Sequence, residues 1–317
     1  MAPEYWATQS PVTDPGEAAA AVIDDLDSSL EALRYAASQL VFHYRGDLES
    51  AGVAKERTAE ISTRYAEAML SRILSFDAEG TASLSRPRFG AERTIGCCRD
   101  SVVLFVALAR HKGIPARPRV GYASHPSTPW WRDHAVAEVW DAKEKRWRLV
   151  EVEFEDETHP DGTPNPEGAP RREGKDYLDL RPGIDFLVGP DAWTRARKGE
   201  ADPDRFVVAP ELDIPVLRGW PHLAHNVVHD LVSLDKKEML LWDTWGIQSN
   251  WRARVPDEDA ALLDEICPVL LDLDTTPEKV AELAAKKEFE IPKVVTSPDP
   301  DGGPMLDVDV SKVIGLA

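Results

Sequence analysis

The sequence predicts an α+β fold, and three observations carry that prediction. Residues 17–42 place Leu26, Leu30 and Leu33 at steps of four and three, followed by Ala37 and Leu40, as one face of a helix requires. Residues 102–109 form an unbroken apolar run inside a helix-favouring stretch, 97–112. Residues 134–140 and 147–154 are rich in Val and Trp and flank the polar turn DAKEKR, as two paired strands would.

Taken in order, residues 1–16 are rich in Pro, Thr and Ser and are expected to be a loose lead-in. The helix over 17–42 follows. His43 and Tyr44 fall in a turn packed against the core, and a second helix is predicted near 51–76, with Ile61, Tyr65, Met69 and Ile73 in its apolar stripe. Residues 77–95, with Gly80, Pro87 and Gly90, read as a loop. Gly113 stops the helix over 97–112, and Pro115 and Pro118 keep 114–123 extended. Residues 155–175 are dense in Pro, Gly, Glu and Arg and are expected to be a long loop without core. Further helices are predicted near 188–198, 221–234, 257–266 and 277–287, with a Trp-rich stretch at 242–251. The expected organisation is a domain over 17–290, with its core at 90–155, and an acidic, partly disordered tail over 291–317.

Charge and cysteine content limit the function. A net charge of −19 speaks against a broad nucleic-acid surface and against anionic membranes. No apolar run approaches the roughly 18–20 residues of a membrane span, and the first residues lack a basic start and an apolar segment. The three cysteines, Cys97, Cys98 and Cys267, are odd in number and two are adjacent, so neither a disulfide framework nor a CxxC zinc site is expected. A reducing, cytoplasmic setting is the expectation.

Cys98 lies at the predicted helix N-terminus, where the partial positive charge lowers a thiol pKa; on position alone it is either a nucleophile or a small buried apolar residue. His134 opens a predicted strand and is either a proton carrier or a hydrogen-bonded core histidine. If Trp140 pairs with Trp147, alternation puts His134 opposite Glu153 and diagonal to Glu151. His222, His225 and His229 fall at helical steps with Asp230 following, which fits a metal face or a polar face along a cleft or the surface. The second is the expectation, with Trp220, Asn226, His229 and Asp230 as candidate substrate contacts and no metal.

Together these residues resemble the transglutaminase-like superfamily. Gly96-Cys97-Cys98-Arg99-Asp100 is similar to its G-x-C-x-D motif, and Gly113-Ile114-Pro115-Ala116-Arg117 to the G-I-P-A-R that leads into a strand. His134-Ala135-Val136-Ala137-Glu138-Val139-Trp140 resembles its histidine strand, with Val136 where the family has Trp. Trp147 is followed four positions on by Glu151, where the family has Asp. Residues 186–206 and 218–246 also resemble bacterial transglutaminase-domain proteins. The resemblance implies a papain-like core, a nucleophile helix packed on an antiparallel sheet, with extra helices at both ends. It implies Cys98 as nucleophile, with Cys97 a packing residue, His134 as acid/base and Glu151 as the orienting group, Glu153 being the alternative. The chemistry implied is acyl transfer or hydrolysis on an amide or ester through a thioester, with no cofactor. A non-catalytic binding or scaffold protein, or an amide-forming biosynthetic enzyme, are the other readings.

Overall fold

The computed structural model describes residues 3–124, 129–166, 168, 175–250, 254–299 and 303–316. The helix expected over 17–42 is two helices, α1 (Gly16–Asp24) and α2 (Leu30–Ser38). The break is local polar chemistry. Asp27 Oδ1 accepts from Ser29 N–H at 2.8 Å, and Ser29 Oγ caps α2 by accepting from Ala32 N–H at 3.3 Å. A short strand, β1 (Val41–His43), follows. The helix expected over 51–76 is regular only in its second half, α3 (Ala66–Leu74), which buries Met69, Leu70 and Ile73. Its first half is a 3-10 segment, Lys55–Ser62, that buries nothing, so no packing favours the α form there.

Strand β2 (Thr94–Gly96) runs parallel to β1 and delivers the chain to α4 (Cys98–His111). Residues Cys98–Arg110 are all buried. Gly113, at φ +72°, ends the helix; its N–H bonds Arg110 O at 3.0 Å and that of Ile114 bonds Ala109 O at 2.9 Å. The main sheet is then laid down by β3 (Ala116–Ala123), β4 (Trp131–Asp141) and β5 (Arg146–Val150) as an antiparallel meander. Trp140 pairs with Trp147, and Gly121 pairs with His134. β6 (Phe186–Val188) joins the far edge of β3, and at Gly121 a Cβ would lie 2.1 Å from Leu187 O, so only glycine admits that approach. The sheet order is β5-β4-β3-β6. After α5 (Gly189–Arg197), β7 (Phe206–Val207) pairs in parallel with the start of β4.

Alternation along β4 divides the sheet's two faces. Ala135, Ala137 and Val139 join the main core with the apolar run of α4; Val136 joins Leu149, Tyr177, Leu180 and Phe186 in a smaller cluster. The remaining helices are α6 (Gly219–Leu234), α7 (Asp257–Leu271) and α8 (Pro277–Ala284), and β8 (Val294–Ser297) pairs with β9 (Leu306–Asp309). The mixed helices and antiparallel sheet make the fold α+β.

Both chain ends depart from expectation. Residues 3–16 are no loose lead-in: Trp6 is buried, its Nε1–H donates to Leu234 O at 3.1 Å, and Gln9 Nε2 donates to Ala107 O at 2.9 Å. The stretch after 290 supplies the β8–β9 hairpin, and it buries Val295, Val310 and Val313. Of the loop over 155–175, the described part is fastened by polar bonds. Glu155 accepts from Gln39 and Asn165 and pairs with Arg93.

Candidate active site

The sequence G-C-C-R-D sets the first residue. Cys97 is the N-cap of α4, and its N–H donates to Asp100 Oδ2 at 2.8 Å. That bond fixes the first turn and seats Cys98 at the first helical position, 6% exposed. The expected depression of its thiol pKa is not what the structure holds. A hydrogen bond with the Cys97 thiol, burial and the nearby carboxylates of Glu153 and Asp133 all push Cys98 well up. Cys97 and Cys267 are also free, buried thiols.

His134 is carried on β4, beside the Cβ-free backbone of Gly121. Its Nε2 lies 3.1 and 3.0 Å from the two carboxylate oxygens of Glu151. Burial works against the imidazolium, but Glu151, by charge and hydrogen bond, and then Glu153 and Asp133 push His134 up to about 9.

The hairpin register was legible, yet the ladder ends three pairs short of His134 and Glu153. The pairing stops at Ala137–Val150, and the chain then leaves the strand. Glu151 N–H donates to Tyr177 O at 2.8 Å, and Glu151 Oε1 turns back to accept from Glu153 N–H at 3.1 Å. Glu151 is thus fully buried against His134 Nε2. Glu153 sits on the ring's other side, with Oε2 3.6 Å from Nδ1, and its side chain keeps 19% exposure. Cys98 Sγ, a ring nitrogen of His134 and a carboxylate oxygen of Glu153 all lie within 4.8 Å of one another.

Two further groups were not foreseen. His43 Nε2 is 3.8 Å from Glu153 Oε1, on the far side of that carboxylate from His134. Arg34 of α2 holds the segment behind the site: Nε donates to Glu151 O at 2.7 Å, NH1 pairs with Asp156 at 3.0 Å, and NH2 bonds Phe154 O. Arg34 is 117 residues from Glu151 in sequence, and no local pattern signals such a contact.

The α6 candidates are placed differently from expectation. Asp230 has no exposure; it makes a two-pronged pair with Arg119 at 2.9 and 2.8 Å and accepts from Val120 N–H at 2.9 Å. Its oxygens are committed to the fold. His229 is buried and its Nε2–H donates to Asp243 O at 3.0 Å; burial keeps it neutral, well below the usual histidine range. Trp220 packs edge-on against Trp193 at 5.4 Å. Asn226 alone reaches toward the site. Its Nδ2 donates to Asp133 Oδ1 at 2.8 Å and to Gly121 O at 3.1 Å, which fixes the residue before His134. The polar face of α6 faces neither water nor a cleft but the protein interior. Its other histidines behave alike: His222 Nδ1 meets Tyr122 Oη at 2.7 Å, and His225 Nε2–H donates to Leu241 O at 2.7 Å.

Residues 71–152 match the Transglutaminase-like superfamily, and this segment is what the chain has in common with it. It spans α4 and the β3–β5 meander, and so contains Cys98, His134 and Glu151. The chain is also similar, at 22% identity, to a crystal structure from Cytophaga hutchinsonii bearing the name "putative cysteine protease". That likeness covers 41% of this chain and 44% of the other, with a TM-score of 0.17, so the chain spans less than half the length of that protein. No curated protein matches. Among the described residues, no helix is long and apolar enough to cross a membrane.

Proposed function

We propose that the protein performs thiol-dependent acyl chemistry on an amide or ester, with Cys98 as nucleophile, His134 as proton carrier and Glu151 as the group that orients His134. One observation carries this reading: a cysteine at a helix N-terminus and a histidine whose far nitrogen is held by a fully buried carboxylate, within a transglutaminase-like core. Members of that superfamily are usually enzymes.

The protons balance as follows. The Cys98 S–H proton passes to the His134 nitrogen that does not face Glu151, and the thiolate adds to the substrate carbonyl. The imidazolium returns the proton to the leaving amine or alcohol, and an acyl-thioester remains. An amine or water then enters, gives its proton to His134 and attacks, and Cys98 is released protonated. Glu151 stabilises the imidazolium in both halves. The substrate bears an amide or ester; nucleic acid and membrane lipid are not part of this reading.

A second reading, a binding protein on the same fold, is favoured by the raised Cys98 thiol. The two separate cleanly. Incubation with an activated aryl ester, followed by intact-mass and peptide mapping, is expected to leave an acyl group on Cys98 and none after Cys98→Ala. Cys97→Ala is expected to keep the adduct. No adduct, together with iodoacetamide labelling of Cys98 no faster than that of Cys267, would overturn the enzymatic reading.

A further inference from the structure

We propose that Cys98, His134 and Glu153 form a binding site for a thiophilic divalent cation, zinc above all, whose occupation shuts off the thiol. Three donors of three kinds converge here from separate parts of the chain: the first turn of α4, β4 and the segment after β5. Their ligand atoms lie within 4.8 Å of one another, and among the described residues no other group of three His, Cys, Asp or Glu side chains meets that condition.

The donor set selects the ion. A thiolate, an imidazole and a carboxylate together suit zinc, whereas calcium and magnesium require oxygen ligands. Zinc bonds of about 2.0–2.3 Å place tetrahedral donors roughly 3.3–3.8 Å apart. The separation of His134 Nδ1 from Glu153 Oε2, 3.6 Å, already falls there, and the remaining donors need to draw in by about 1.5 Å at most.

The outer shell is also in place. Glu151 lies at 3.0 Å from the opposite ring nitrogen, the carboxylate–histidine arrangement that fixes a metal-binding imidazole in the tautomer whose other nitrogen faces the ion. The backbone of Glu153 is itself tied to Glu151 Oε1. Three protein ligands leave a fourth position for water. On binding, the Cys98 S–H bond breaks, a sulfur–metal bond forms and the proton goes to solvent; nothing is oxidised or reduced. The inhibition rests on the acyl chemistry proposed above, because the same sulfur is the nucleophile; the metal binding does not.

The test uses the full chain, freed of metal by chelator and titrated with Co²⁺ and then Zn²⁺ without substrate. One Co²⁺ per chain is expected, with a thiolate-to-cobalt charge-transfer band that Zn²⁺ displaces. The band is expected to vanish in Cys98→Ser and persist in Cys97→Ser. Affinity is expected to fall by about 10-fold or more in Glu153→Gln, whose partly exposed side chain makes misfolding a small risk. Absence of the band, its survival in Cys98→Ser, or unchanged affinity in Glu153→Gln would overturn the site. Turnover insensitive to saturating Zn²⁺ would also overturn it and would leave the acyl reading standing. A full Co²⁺ signal in a chain that never acylates would remove the acyl reading and keep the metal site.

Discussion

At the scale of single residues, the decisive feature is the number of carboxylates around His134. Glu151 and Glu153 flank the ring and Asp133 precedes it, so the imidazolium is favoured up to about 9 while the Cys98 thiol is held protonated. At neutral pH both partners therefore carry a proton, and the reactive form has one fewer. Because His134 is raised, that form grows as pH climbs toward 9. In metal-free buffer, kcat/KM is expected to rise from pH 7 to 9, read from a pH–rate profile. A profile that peaks below pH 7 would mean that His134 is not the base. Glu151→Gln removes the charge that raises His134, and kcat is expected to fall by roughly 10²–10⁴-fold, because the imidazole loses its tautomer and the support of its cation. The rising limb should move to lower pH in the same variant, a shift that a purely structural defect would not produce. Glu151 stands just beyond β5, which ends at Val150, and its side chain folds back from outside the ladder.

At the scale of elements, α4 and the hairpin were legible because each is driven by its own local pattern: eight apolar residues before a Gly stop, and Val/Trp alternation about a polar turn. The Trp140–Trp147 register followed from the turn alone. What local pattern does not encode is the packing between elements. The polarity of the α6 face suggests a cleft or the surface, yet His222, His229 and Asp230 find partners on Tyr122, Asp243 and Arg119, brought there by the β-sheet and the 240s loop. Arg34 is the clearest case. It shares α2 with Glu31, and its bonds to Glu151 O, Phe154 O and Asp156 fix the Glu151–Asp156 segment. It is a positioning residue, acting on His134 through Glu151. Arg34→Lys keeps the charge and loses the fork. The expected result is a lower kcat at nearly constant KM, with the pH limb displaced as in Glu151→Gln but less. Arg34→Ala is expected to destabilise the fold by about 2–3 kcal/mol, since Asp156 and the carbonyls of Glu151 and Phe154 each lose a charge-assisted hydrogen bond. Equal loss in kcat and KM with an unmoved pH limb would argue against the positioning role.

At the scale of the whole molecule, the N-terminal segment joins the sheet to α6. Trp6 donates to Leu234 O at the end of α6, while its ring lies 4.4 Å from the Arg117 guanidinium and 5.6 Å, edge-on, from Trp147. Arg117 is also 4.1 Å over Trp147 and pairs with Glu138 at 2.6 Å; Glu138 holds Arg119, and Arg119 holds Asp230. A continuous chain of packed rings and ion pairs thus runs from residue 6 through β3 and β4 to α6. Ser10 and Thr13 extend the hold: Ser10 donates to Glu238 at 2.8 Å, and Arg110 bonds both Thr13 and Glu238. Composition hid this, because Pro, Thr and Ser serve equally in a free tail and in a strap that bonds side chains to buried charges. Trp6→Ala removes the indole from that chain and leaves Leu234 O without its donor. The expected cost is about 3–5 kcal/mol, the usual penalty for truncating a buried Trp. Urea unfolding should show a lower midpoint at unchanged slope. Because the partners named for Trp6 do not include Cys98, His134 or Glu151, acylation per folded molecule should stay at the wild-type level. An unchanged midpoint would mean that the first sixteen residues hang free after all.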